Sequence, residues 1–116
     1  MALISFAMTV DEFLSGEKTC TRRDWSDNYR KLWQKWWDEG KYVHTAYDKN
    51  PRNSGKVIGH FMLTKRPYRE KLCNMPESDL MAEGNICETR ESFFRLIGKT
   101  PDDIVTVVRF KKLEEE

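Results

Sequence analysis

A chain of 116 residues is long enough for one domain with one hydrophobic core. Hydrophobic residues at 39% and charged residues at 34% are typical of a soluble globular protein with a polar surface. The net charge of +1 argues against a protein that coats nucleic acid indiscriminately, and no apolar run approaches the roughly 20 residues that span a bilayer. Residues 1–7 lack the basic start and the long apolar stretch of a signal peptide, so we expect a cytoplasmic protein with no membrane partner.

Charge is distributed unevenly along the chain. Residues 49–71 contain seven basic residues against one acid, whereas residues 77–103 contain seven acids against three basic residues. A nearly neutral total can therefore hide a basic face. The alternative is that the charges are spread over a solvated surface, which is the more common arrangement.

The three cysteines, Cys20, Cys73 and Cys87, are odd in number and lack the paired C-x-x-C spacing of a zinc site. A disulfide framework is not indicated either. We predict reduced thiols, no metal and no cofactor.

The chain begins with residues that predict a strand and then a short helix. Apolar residues within 3–6 suit a buried first strand. Thr9 and Glu12 have the spacing of a capping box, which opens a helix that Gly16 closes.

The next segment, Gly16–Arg23, holds more polar chemistry than any other part of the chain. Its β-branched residues Thr19 and Thr21 favour a strand, with Lys18 at its entrance and Arg23 near its exit. Three cationic groups and two hydroxyls would then meet at one edge of the fold.

A helix with an aromatic stripe follows, capped by Ser26 and running to about Glu39 before Gly40. Its apolar positions have the i, i+3, i+4, i+7, i+8 spacing of one helical face. We favour burial of this face in the core. The alternatives are a platform for stacking bases or a contact surface for another protein. The stripe consists of Tyr29, Leu32, Trp33, Trp36 and Trp37.

The middle of the chain predicts a hairpin. Strands are expected over Tyr42–Tyr47 and Lys56–Lys65, joined by the turn-rich segment Asp48–Gly55. Gly59 inside the second strand indicates a bend or bulge. Residues 66–69 are predicted to leave the sheet, because Pro67 cannot donate to a strand ladder.

The last third predicts two helices and the clearest strand. Proline near the start and glycine after the end indicate a helix over Met75–Ala82, and a second is expected over Thr89–Ile97. A turn at residues 100–102 precedes a strand over Ile104–Phe110. About five strands and four helices predict a single α+β domain over residues 1–116, built around a curled sheet.

The order of these pieces resembles the ASCH domain family, a branch of the PUA-like β-barrels. The pattern Gly-x-Lys-Thr-x-Thr-x-Arg at Gly16–Arg23 resembles the family's opening motif, and Leu80–Gly84 resembles its "A-x-E-G"-like helix end. Here alanine directly precedes the glutamate, and Arg22 stands where the family usually has an apolar residue. The resemblance implies a small mixed barrel with flanking helices.

The resemblance also implies a catalytic set. In family members that resemble small amidohydrolases of acylated cytidine, the proposed residues match Lys18, Thr21 and Glu83. A threonine hydroxyl needs a base to become a nucleophile, and a lysine serves as one only when burial or nearby cations lower its pKa. Arg22 and Arg23 could supply that field, and Arg23 could grip a carbonyl or phosphate oxygen. Lys18 must lie in the turn to meet Thr21, because residues three apart in a strand face opposite ways.

RNA binding is the other function implied by the PUA-like resemblance. The basic segment from Lys49 to Lys71 would contact phosphates, and an aromatic ring would stack on a splayed base. We therefore expect RNA or a modified nucleoside as the partner. The candidate contacts are Arg22, Arg23, Trp25, Lys65, Arg66, Tyr68 and Arg69, with His60 as a further ring that could stack.

For each polar candidate the plain alternative is structural: a turn lysine, a β-forming threonine and a surface carboxylate. The functional hypothesis requires distant segments to fold together, so that Lys18, Thr21, Arg23 and Glu83 share one cleft.

Overall fold

The computed structural model describes residues 3–114. It contains six strands, β1 (Leu3–Ser5), β2 (Cys20–Arg23), β3 (Val43–Tyr47), β4 (Val57–Leu63), β5 (Tyr68–Lys71) and β6 (Ile104–Lys112). Four α-helices accompany them, α1 (Val10–Ser15), α2 (Asp27–Asp38), α3 (Asp79–Ala82) and α4 (Arg90–Leu96). No helix in this part of the chain is long and apolar enough to cross a membrane.

β6 is the central strand of the sheet. The order is β1-β3-β4-β6-β2, and β5 also pairs with β6. β4 and β5 run along one edge of β6, where Leu63 lies opposite Phe110 and Tyr68 lies opposite Val107. β2 runs along the other edge, with Arg22 also opposite Val107. Within residues 3–114, β1 pairs only with β3 and β2 only with β6, so the curled sheet stays open between these two edge strands.

Apolar clusters cover both faces of β6, because successive side chains of a strand point to opposite faces. The larger cluster takes Val108 and Phe110 from this strand, and the smaller one takes Val105. Helices α1 and α2 contribute to the larger cluster, and α4 contributes to the smaller one. The larger cluster also contains Ile4, Phe6, Phe13, Trp33, Ala46, Phe61 and Leu63, and the smaller one contains Leu72, Met75, Phe93 and Phe94.

The predicted α+β class and curled sheet are confirmed, with one more strand than expected. The additional strand is β5, in a segment predicted to leave the sheet. Pro67 does lie outside any strand, where its carbonyl accepts a 2.8 Å bond from the Gln34 amide. Tyr68 then returns to β6, two residues out of step with β4. The prediction was wrong for Tyr68 and Arg69, because the open edge of β6 at residues 104–107 offers a ladder that the proline does not block.

Helices α2 and α4 lie where they were predicted, to within one residue at each end, and two other helical predictions were wrong in part. Ser26 caps α2 through a bond from the Tyr29 amide, and Thr89 caps α4. The capping box at Thr9 was wrong, because no side-chain cap forms there, although Gly16 ends α1 with φ of 85°. The helix predicted over Met75–Ala82 is also shorter than expected, since α3 begins only at Asp79.

The core interpretation of the tryptophan stripe is confirmed. Trp33 is fully buried, and Trp36 and Trp37 are partly buried against the larger cluster. The outer positions, Tyr29 and Leu32, remain partly exposed. The stripe is therefore mainly a packing surface, with Trp33 at its buried centre.

Candidate functional site

A cavity of about 220 Å³ lies at the opening between β1 and β2. One of its walls is polar and charged, and the other is mainly apolar. The polar wall is formed by Lys18, Thr21, Arg22, Arg23 and Glu83, and the apolar wall includes Phe6, Met8, Ile86, Phe93 and Ile97. Residues that are 65 positions apart in sequence thus meet in one hollow, as the functional hypothesis requires.

Lys18 reaches this cavity from the turn before β2, as predicted. Its amide donates to the Glu12 carbonyl at 3.0 Å, and the amide of Thr19 donates to the Ala82 carbonyl at 2.8 Å. These two bonds tie the turn to α1 on one side and to the end of α3 on the other. The ammonium of Lys18 donates to the Glu83 main-chain carbonyl at 2.7 Å and to its carboxylate at 3.2 Å.

Gly84 allows α3 to approach α1 closely enough for this contact. Its φ is 111°, a conformation that favours glycine. A β-carbon at this position would lie 3.2 Å from the Thr9 side chain and 3.4 Å from that of Glu12. The glycine of the "A-x-E-G"-like segment therefore has a local physical role: it fixes the position of the preceding glutamate.

Burial controls the protonation of Lys18. Removal of the ammonium from water lowers the pKa of Lys18, and the nearby Glu83 carboxylate partly opposes this effect. The neighbouring thiol of Cys20 is buried as well, and burial together with Glu83 raises its pKa to about 12. Burial thus makes the Lys18 ammonium easier to deprotonate and holds the neighbouring Cys20 as a thiol.

The guanidinium of Arg22 is buried and pairs with three carboxylates. Its side chain is completely buried and donates to Glu70 at 2.9 Å, Asp79 at 2.5 Å and Glu83 at 2.8 Å. Arg109 completes the network through a 2.7 Å bond to Asp79. Burial alone would lower the pKa of Arg22, but its carboxylate partners raise it above the usual arginine value. The carboxylate of Glu83 is therefore fixed from two sides, by Lys18 and by Arg22.

Arg23 and Thr21 face the cavity from the other side of β2. The Arg23 guanidinium donates to the Thr21 hydroxyl at 3.1 Å and, across the opening, to the Ser5 carbonyl at 2.7 Å. No carboxylate forms an ion pair with Arg23 within residues 3–114. Desolvation lowers the pKa of Arg23, and the charge of Glu83 opposes the shift. A carbonyl or anionic oxygen in the cavity would therefore meet a guanidinium that has no direct carboxylate partner in the described residues.

The remaining predicted contacts do not line this cavity. Trp25 stacks on Trp33 with ring centroids 4.9 Å apart, and Arg66 pairs with Asp38 at 3.1 Å on the surface. Lys65 lies over the Tyr68 ring at 4.6 Å. Arg69 and Trp25 border a separate hollow of about 90 Å³. The polar cleft and the basic segment are thus two different surfaces.

The two histidines, His44 and His60, lie on opposite faces of the sheet. His44 lies opposite Phe61 and His60 opposite Thr45, which are adjacent positions of one ladder, so the imidazoles point to opposite faces. The described part of the chain also contains no group of three or more His, Cys, Asp or Glu side chains arranged to hold a metal ion.

The network behind the polar wall was not predicted from the sequence. Glu70, Asp79 and Arg109 come from β5, α3 and β6, and no spacing in the sequence connects them. The one available indication was Arg22 itself, a charged residue in a strand where the resembled family has an apolar one. A buried guanidinium needs carboxylate partners, and for Arg22 these are Glu70, Asp79 and Glu83.

Comparisons with protein-family models, curated proteins and solved structures gave no match. The resemblance to the ASCH family therefore depends on the two sequence motifs. The curled half-barrel sheet is consistent with a small mixed barrel.

Proposed function

We propose that the cavity of this ASCH-like domain binds a nucleoside, either free or as one unpaired residue of an RNA. The observation that carries the proposal is the convergence of Lys18, Thr21, Arg23 and Glu83 on one hollow with an apolar opposite wall. A nucleobase has apolar faces and a polar edge, and proteins bind unpaired bases by contacting both. The cavity offers complementary surfaces for each.

The size of the cavity favours a single nucleoside. Its volume of about 220 Å³ is below the roughly 300 Å³ at which pockets for drug-sized ligands begin. The basic side chains that would follow an RNA backbone are elsewhere, and Arg66 is already paired with Asp38. A nucleoside or one splayed base therefore fits the site better than an extended strand.

The test compares cavity variants with surface variants. Binding of uridine, cytidine, an N-acylated cytidine and a short single-stranded RNA would be measured by calorimetry for wild type, Lys18→Met and Glu83→Gln. Arg66→Met serves as the matched control, because it removes a cation outside the cavity. We expect the two cavity variants to weaken nucleoside binding about tenfold or more, since each removes a charged hydrogen-bonding group, and the control to bind as wild type does.

The opposite pattern would refute the proposal. If RNA binds with a steep salt dependence, is weakened by Arg66→Met and is unaffected by the cavity variants, the functional surface is the basic segment. If neither nucleosides nor RNA bind, the proposal is wrong.

Hydrolysis of an N-acyl nucleoside is a second candidate, favoured by the lowered pKa of Lys18 beside Glu83 and by Thr21 in the same cavity. In this scheme Lys18 removes the Thr21 proton, and the hydroxyl oxygen attacks the acyl carbonyl. Arg23, whose guanidinium lies next to the Thr21 hydroxyl, is the cation placed to stabilise the oxyanion that develops on the acyl carbonyl. The nucleoside amine leaves with the proton, and water then hydrolyses the acyl-threonine ester to the free acid.

Product analysis separates this candidate from binding alone. Mass spectrometry of an N-acylated cytidine incubated with wild type should show the free acid and cytidine. We expect Thr21→Val to lose at least 100-fold in rate while still binding the nucleoside, and Thr21→Ser to retain measurable turnover, because serine keeps the hydroxyl. Equal rates for wild type and Thr21→Val would exclude the threonine as nucleophile.

A further inference from the structure

The exposed part of Arg22 is its main chain. The whole residue is 7% exposed, whereas its side chain is 0% exposed. Arg22 nevertheless lines the cavity. The atoms of Arg22 that reach the cavity therefore belong to its backbone.

The register of β2 shows which way this backbone points. The Phe110 amide donates to the Thr19 carbonyl at 2.9 Å, so residues 19, 21 and 23 of β2 direct their amides or carbonyls toward β6. Arg22 alternates with them and lies opposite Val107 in a non-hydrogen-bonded position. Its N–H and C=O therefore point away from β6, toward the opening between the two edge strands.

Val107 gives independent support for this alternation. Its other neighbour is Tyr68 of β5, and the Thr64 amide donates to the Arg109 carbonyl at 3.0 Å along the same edge. Residues 107 and 109 thus direct their main-chain groups toward β4 and β5, and residues 108 and 110 direct theirs toward β2. β6 leaves no main-chain partner for Arg22.

We propose that the main-chain N–H and C=O of Arg22 form a paired hydrogen-bonding edge that reads the nucleobase. This inference rests on the proposed function and specifies which chemistry the site takes: a base that presents a donor next to an acceptor. The lactam edge of uracil and the amino-pyrimidine edge of cytosine both have this arrangement. The ligand adds itself to β2 much as a further strand would.

The buried guanidinium makes this edge rigid. Glu70, Asp79 and Glu83 hold the Arg22 side chain from one side of the sheet, and the flanking residues Thr21 and Arg23 pair with β6. A fixed donor and acceptor in a site partly shielded from water distinguish strongly between bases. A base without the matching group leaves the N–H or the C=O unpaired, which weakens its binding. The charged network thus fixes the main-chain edge, and the edge selects the base.

Amide hydrogen exchange tests the free protein first. In ¹⁵N-labelled wild type without ligand, the Arg22 amide should exchange markedly faster than the amides of Thr21 and Arg23, which serve as internal controls within the same strand. Equal protection of the three amides would overturn the proposal, because Arg22 would then have an internal partner.

Ligand analogues test recognition without any substitution in the protein. Uridine should shift the Arg22 amide resonance downfield and slow its exchange, and 3-methyluridine, which lacks the donor, should bind about tenfold or more weakly. Cytidine and its N4,N4-dimethyl analogue provide the equivalent pair. If uridine or cytidine binds and perturbs Lys18 and Thr21 but leaves the Arg22 amide unchanged, this inference is wrong while the proposed function stands. If none of the nucleosides binds, both are wrong.

Discussion

Replacement of Arg22 by methionine is the sharpest test of the buried network. Methionine keeps most of the apolar volume and removes the guanidinium that donates to Glu70, Asp79 and Glu83. If the bond to each of the three carboxylates contributes about 1.5–3 kcal/mol, a simple sum would be about 4.5–9 kcal/mol. The sum is too large, because Asp79 keeps Arg109 and Glu83 keeps Lys18.

Glu70 is the partner that Arg22→Met leaves without a cation. Its side chain is only 8% exposed, so the uncompensated carboxylate remains largely buried. Removal of one member of a buried ion pair costs about 3–5 kcal/mol, and we expect the free energy of unfolding to fall by this amount at pH 7. For a domain of this size the melting temperature should fall by roughly 10–20 °C.

Urea unfolding monitored by circular dichroism would measure this loss. The control is Arg66→Met, which breaks the exposed pair with Asp38 and should cost no more than about 1 kcal/mol. The double variant Arg22→Met/Glu70→Gln should be more stable than Arg22→Met alone, because it removes the orphaned charge. A loss at Arg22 no larger than that at Arg66 would refute the reasoning.

Three further predictions address other parts of the fold. Gly84→Ala should lower stability by about 1–3 kcal/mol and weaken nucleoside binding, because it strains a φ of 111° and pushes α3 from α1; urea unfolding and calorimetry would show both effects. Burial lowers the pKa of His44 to about 4. The stabilisation by the neutral, buried imidazole is therefore fully present above the unfolded-state pKa of about 6.5, and up to about 3 kcal/mol of the free energy of unfolding is lost as the pH falls through 4. Unfolding curves of His44→Gln should lack this part of the pH dependence. The pKa of about 12 and full burial protect Cys20, so iodoacetamide should alkylate the exposed Cys73 first in native protein, and mass spectrometry of peptides would contradict this if Cys20 reacted equally.

The local elements could be predicted where one short segment contains the whole cause. Ser26 and Thr89 cap their helices with their own side chains, and Gly16 ends α1 with its own φ. The tryptophan stripe followed from helical periodicity, since a face with Trp33 at its centre has to be buried. The strand at Cys20–Arg23, with Lys18 at its entrance, was predicted on the same local grounds.

The errors occurred where a distant segment decides the outcome. Pro67 ends a strand locally, but the unpaired edge of β6 takes up Tyr68 immediately after it. Thr9 has the residue type of a cap, yet no cap bond forms there, and its side chain instead lies against Gly84. Propensity describes the short range, and these residues were positioned by contacts from far along the chain.

The candidate site shows the same division. Residue type and spacing, together with a family resemblance, drew attention to Lys18, Thr21 and Glu83, and the fold brings them to one cavity. The residue type of Arg22 does not show whether its main chain or its side chain faces that cavity. The register between β2 and β6 decides this, because it directs the main-chain groups away from β6 and leaves the guanidinium buried. The sequence likewise did not predict Glu70, Asp79 and Arg109 as members of the network.

By itself the sequence determined the helices, the main strands, the buried aromatic stripe and the polar segment around Lys18, because caps, periodicity and side-chain chemistry act within a few residues. Only the tertiary structure decided that β5 rejoins the sheet, that Arg22 is held by three acids, and that the opening between β1 and β2 is the cavity. These features depend on strand register and on the desolvation of charges, which exist only after distant segments have packed together.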